Sequence, residues 1–206
     1  MLTLTVAAVV LAACGDGGGD EPTGLDDPSA SAPAETTSAE TPADETPAET
    51  SASSEPTRHE FPDAGVTVLE PVPSSDAEGA ALGAYVDFLR EWRLSLREVR
   101  MSDALRGLAV APVLESVQSS LDYQEENGIR YSGSMEVTPV VEETGERTVV
   151  LGGCMDVSAL TIVDDGEEQP IDGIDEHPVK PIRVVLADDG TGWKVNENTV
   201  FEEESC

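Results

Sequence analysis

Asp156 is the strongest candidate for acid–base chemistry in this chain. In an extended strand it shares a face with Cys154 and Ser158, because strand side chains alternate. A carboxylate on a pocket wall can move a proton, and Tyr85, Trp92 and Tyr131 are the aromatics able to wall such a pocket. The two histidines, His59 and His177, fall near prolines in expected loops. The commonest general base is therefore missing from the expected strands and the long helix. One carboxylate alone rarely makes an active site, so a solvated or hydrogen-bonded Asp156 is the plainer reading. Residues 164–177 are rich in acids that suit a hard cation such as Ca²⁺. Their spacing is not that of an EF-hand, and a solvated acidic loop is expected. The chain has no phosphate-cradling glycine loop, zinc pattern or nucleophile elbow, so no cofactor and no metal are expected.

The elements that would position these residues follow from periodicity. Ser75 or Asp76 can cap a helix. Leu82, Tyr85, Val86, Leu89, Trp92, Leu96 and Val99 then recur at steps of three and four, a stripe sized to lie across a sheet. Arg90, Arg93, Arg97 and Arg100 share one flank of that helix, and Asp87 is placed to pair with Arg90. The flank reads either as a shelf for lipid headgroups or an anionic ligand, or as boundary arginines that cover apolar surface and pair outward; the second is preferred. Ser102 opens a short helix that ends near Gly107. Pro112 suits the first turn of a third helix, stopped by Asn127-Gly128. The period then changes to two. Strands are expected over 129–141, 147–163 (with a bulge or bend at Gly152-Gly153), 179–186 and 193–201, the last two joined by a hairpin turn at 188–192.

The N-terminal stretch carries a different chemistry. Residues 2–13 are nearly all apolar, uncharged, and too few to span a bilayer, which takes roughly 20. Leu11-Ala12-Ala13-Cys14 resembles the bacterial lipoprotein signal, Leu-(Ala/Ser)-(Gly/Ala)-Cys, at every position. That resemblance implies diacylglycerol on the Cys14 thiol, cleavage before Cys14, and acylation of the new amine by a fatty acid such as palmitate. No Lys or Arg precedes the run, so the natural start is expected upstream. With Cys14 lipidated, Cys154 and Cys206 remain. In an oxidising compartment they read as a disulfide, with two free thiols or a redox site as alternatives. Closing a loop of about 52 residues would stabilise the fold by roughly 4 kcal/mol in the chain-entropy model.

Composition divides the rest. Between residues 15 and 57 there are 11 acids, no base, no aromatic and one large aliphatic, Leu25. Loose Ala/Pro/Thr/Glu repeats of this kind cannot bury enough surface to offset their entropy, so a disordered tether is expected. As a coil it would span on the order of 35–40 Å. The domains expected are a signal peptide (1–13), a lipidated cysteine with an acidic tether (14–57) and one folded domain (58–206). That domain holds the remaining 31 acids against all 11 bases of the chain. A formal charge of −31 repels phosphates, so nucleic acid is a poor partner and none is expected.

Helices first and an antiparallel meander afterwards is an α+β order. Together with the late Gly-x-Trp-x-Val strand (Gly190 or Gly192, Trp193, Lys194, Val195), it resembles the NTF2-like, or SnoaL-like, cone. The short extracytoplasmic lipoproteins of high-GC Gram-positive bacteria that carry this domain are the most similar. The matching features are Arg130-Tyr131-Ser132-Gly133, Cys154-x-Asp156-x-Ser158 and Cys206. The resemblance implies helices packed on a curved antiparallel sheet with a conical pocket. It leaves function open, because the family includes enzymes, binding modules and scaffolds. The expectation is a lipid-anchored, non-catalytic binding or scaffold module on the outer face of the cell membrane. It would meet another envelope protein or hold a small apolar ligand. The alternative is a small isomerase or dehydratase using Asp156. An open apolar cavity favours a ligand, a filled one a scaffold, and an inward Asp156 beside Tyr131 an enzyme.

Overall fold

A computed structural model describes residues 55–206. Cys14, the cleavage before it and the expected tether up to residue 54 lie outside the described residues. The described residues open with a hairpin, over a stretch where the sequence pattern predicts no strand. Thr57–Phe61 (β1) and Val66–Glu70 (β2) pair antiparallel. The turn between them is closed by the Ala64 and Gly65 amides, which donate to the Phe61 carbonyl.

Three helices follow. Asp76–Glu98 (α1) is capped by Ser75, whose hydroxyl accepts from the Glu78 amide. The Glu78 carboxylate reaches back to Ser74, accepting from its amide and hydroxyl, and also accepts from the Thr144 hydroxyl at 2.7 Å. The helix start is thereby tied to a strand 66 residues away. Val99 ends α1 in the left-handed region, so the last member of the expected stripe serves as its cap. Asp103–Leu108 (α2) runs one residue past Gly107, and Ala111–Asn127 (α3) has proline in its first turn and Gly128 at its C-cap.

Seven more strands follow the helices. They are Arg130–Gly133 (β3), Met135–Thr144 (β4), Thr148–Asp156 (β5), Leu160–Asp164 (β6), Glu167–Pro170 (β7), Val179–Asp188 (β8) and Trp193–Val200 (β9). The main sheet has six strands in the order β1-β2-β4-β5-β8-β9, and a second sheet has three in the order β3-β6-β7.

This architecture corrects the expected fold class. The α+β cone called for helices first and one antiparallel sheet. Here two strands precede the helices, and β2 runs parallel to β4, with Val66 opposite Met135 and Val68 opposite Val137. The main sheet is therefore mixed. Strand residues also outnumber helical ones, so the domain is sheet-dominated rather than helices laid on a meander.

The two longest expected strands are each divided. The 129–141 run breaks at Gly133, which has φ of +69° and lies so near the Ala159 carbonyl that a Cβ would clash with it. The chain turns there, and Ser134 donates its amide to Ala159. β3 thus pairs with β6, while β4 stays in the main sheet. The 147–163 run breaks after Asp156, where Leu160 donates back to the Val157 carbonyl. The pairing runs unshifted through Gly152 and Gly153, so the expected bulge is absent there. The register instead shifts at Val141/Glu143 and at Val185/Leu186.

Parity along the strands sets the core. Val137, Leu151, Met155, Ile182, Val184 and Leu186 face one side and are buried against Leu82, Tyr85, Phe88 and Leu89 of α1. Cys154 and Asp156 fall on the other parity, and so face away from this core. Cys154 is bonded to Cys206, with 6.2 Å between Cα atoms. The bond holds segment 201–206 along the start of β8, where Phe201 and Cys206 donate their amides to Pro181 and Val179.

Candidate functional site

A cleft of about 430 Å³ opens where α1 passes over the ends of the two sheets. Trp92 and Leu96 of α1, Met155 of β5, and Leu160, Ile171 and Ile174 give it apolar walls. Tyr131 of β3 lines it too, and is held by its amide, which donates to the Gln124 side-chain oxygen at 2.8 Å. Gln124 is fully buried, and its side-chain NH₂ has no partner among the described residues. Lys180 and Glu202 line the cleft and form an ion pair with each other.

Arg93 is the unexpected member. It lines the cleft, yet only 2% of its surface is exposed. It sits one helical turn after Leu89 and almost one before Leu96, so it lies inside the apolar stripe of α1. Its Nη2 donates to the Ser132 carbonyl over a long 3.4 Å, and its Nε has no partner among the described residues. Burial pushes its pKa down to about 10, with repulsion from Arg97 adding to this and Tyr131 opposing it. The guanidinium is still charged at neutral pH. A charge taken out of water without a carboxylate partner is costly, and that cost is offset when an anion reaches it.

The rest of the arginine flank behaves as the plainer reading expects. Arg90 pairs with Asp63, not Asp87, and lies over the Phe61 ring at 5.6 Å. Arg100 pairs with Glu98. Arg97 lines a second, more open hollow of about 470 Å³ together with Glu168. The Glu168 carboxyl is held below its ordinary range by the Thr161 and Ser132 hydroxyls and by the nearby Arg97. Of the four arginines, Arg93 alone is buried.

The residues singled out in the sequence are dispersed. Trp92 and Tyr131 meet in the cleft. Tyr85 is fully buried in the core, where its hydroxyl has no partner among the described residues and burial pushes its pKa far up. Asp156 does not line the cleft, and its side chain accepts from the Ser158 amide at 2.9 Å. Strand parity puts it on the opposite side from Met155. His59 lies in β1, not a loop, and its Nε2 is 2.6 Å from a Glu70 oxygen. His177 contacts the Ser205 hydroxyl. Among the described residues, no hydroxyl or thiol on the cleft is bonded to an imidazole or carboxylate, the arrangement that activates a nucleophile. Among them, too, there is no cluster able to hold a metal ion and no helix long and apolar enough to cross a membrane.

No family model matches this chain, and no curated protein matches it. Among solved structures it is similar to the intermembrane space region of the chloroplast protein ARC6, at 15% identity and a TM-score of 0.42. That likeness covers 63% of this chain and 98% of the other, and is too slight to carry an argument about either fold or function.

Proposed function

We propose that this chain is a lipid-anchored lipoprotein of the extracytoplasmic face of the cell membrane, and that its folded domain is a non-catalytic binding module for a small, largely apolar ligand. The observation that carries the binding role is the cleft beside Trp92 and Tyr131, which the core leaves unfilled. Its volume lies within the range of small-molecule sites, roughly 300–1,000 Å³. The lipobox at Leu11-Ala12-Ala13-Cys14 supports the anchor. The Cys154–Cys206 bond suits an oxidising compartment outside the cytoplasm.

Two measurements test these halves. The neutral fluorescent probe N-phenyl-1-naphthylamine should bind the full chain saturably. Leu160→Trp, which fills the cleft, should weaken that binding at least tenfold while leaving the thermal melt in place. No saturable signal, or an unchanged affinity in Leu160→Trp, contradicts the binding role. For the anchor, Cys14→Ala should move the protein from the membrane to the soluble fraction; unchanged membrane retention contradicts it.

A further inference from the structure

We infer that the ligand of this cleft carries one anionic head, a carboxylate or a phosphate, which pairs with Arg93 while its apolar body lies against Trp92, Leu96 and Met155. The inference rests on the binding role proposed above and names the class of molecule bound.

Three observations converge on it. Arg93 has five N–H donors, and among the described residues only one of them is engaged, at 3.4 Å. Arg93 is the only buried arginine of the flank; Arg90 and Arg100 form ion pairs with Asp63 and Glu98, and Arg97 is partly exposed on a hollow it shares with Glu168. The residue also occupies a buried position of the helix between Leu89 and Leu96, both of them apolar and buried. A buried guanidinium with open donors is suited to a forked contact with two oxygens of one anion, and such contacts are about twice as strong as neutral hydrogen bonds.

The surroundings restrict the ligand further. The walls are apolar, so a small inorganic anion alone would leave them wet. Tyr131 adds a hydroxyl that burial keeps protonated, a second donor on the cleft. Lys180 is already engaged by Glu202, so it offers little to an incoming anion. The acidic surface repels anions at long range. Selectivity for an anion must therefore come from the local contact, which salt screens less than the surface charges.

The test is calorimetric titration of the full chain at about 0.15 M salt, with four probes of one chain length: decanoate, decyl phosphate, decanol and decyltrimethylammonium. The wild-type protein should bind decanoate or decyl phosphate at least tenfold tighter than decanol, and the ammonium weakest. Whichever of the two anions binds tighter identifies the head as carboxylate or phosphate. Arg93→Met should abolish the preference, since the thioether carries neither charge nor N–H donors. Arg93→Lys, which keeps a charge on the cleft, should retain part of the preference. It serves as the check where Arg93→Met melts below the assay temperature. Equal binding of decanol and the anions by the wild type, or an anion preference that survives in Arg93→Met, overturns the inference and leaves the binding role standing. Failure of all four probes overturns both.

Discussion

Two buried polar side chains on α1 have opposite consequences. Arg93 lines a cleft and keeps its charge, so its cost is recoverable by a ligand. Tyr85 lies two aromatic contacts from Trp92, stacked on Phe88, which stacks in turn on Trp92, with both pairs at 6.3 Å between centroids. Nothing among the described residues accepts from its hydroxyl. Removing an unpartnered buried hydroxyl relieves a desolvation penalty, so Tyr85→Phe should stabilise the domain by about 1 kcal/mol. A higher midpoint in urea at unchanged slope is the expected readout; a loss of stability would mean that the hydroxyl has a partner. Both residues were visible in the sequence, but only as members of a stripe and a flank. Arg93 stands four residues after Leu89 and three before Leu96, which is enough to place it on the buried face. What the spacing could not supply was the position of every carboxylate, and it is their arrangement that leaves Arg93 without one.

At the level of elements, local signals located the helices and tertiary contacts decided the strands. Ser75, Pro112 and Gly128 mark helix ends by chemistry that acts within a few residues, and the helices end where those residues stand. The β1–β2 hairpin has a turn at 62–65 and an alternating Val66-Thr67-Val68, yet its two runs are short and stand apart in sequence from the remaining strands of their sheet. Its parallel pairing with β4 joins residues about seventy apart, and that pairing is what makes the sheet mixed. Gly133 gives only a period-2 position in the sequence; its left-handed backbone divides one expected strand between two sheets.

The contact between α1 and β4 yields a pH prediction. Hydrogen bonds from the Thr144 hydroxyl, then from Ser74, hold the Glu78 carboxyl below its ordinary value of 4.5. A depressed folded pKa contributes stability that is complete above the unfolded value and fades as pH falls through the folded one. The melting temperature of the wild type should therefore drop more steeply below about pH 4.5 than that of Glu78→Gln. Parallel acid limbs for the two proteins would show that this carboxylate is not linked to folding.

Across the whole molecule, the disulfide and the cleft share a segment. Cys206 anchors residues 201–206 to β5 and β8, and Glu202 in that segment pairs with Lys180 on the cleft. The bond spans 52 residues, which in the chain-entropy model corresponds to about 4 kcal/mol. Reduction should lower the melting temperature by on the order of 10 °C. Equal melts with and without reductant would contradict this.

The pair Cys154–Cys206 was legible from the compartment implied by the lipobox and from an even count. The cleft was not, because it is formed by a sheet order that the sequence did not disclose. The expected cone gave way to a mixed six-stranded sheet with a small second sheet beside it, and the pocket lies where the two meet α1.

The central claim is that a membrane-tethered domain carries a small amphiphilic guest. Native mass spectrometry of the full chain, extracted from its own cell envelope in mild detergent, tests this most directly. The account predicts a protein that begins at Cys14 with covalent acyl chains, and a non-covalent anionic adduct that is lost in Leu160→Trp. A protein that retains its first thirteen residues without lipid, or one that carries no adduct distinguishable from that of Leu160→Trp, would contradict it.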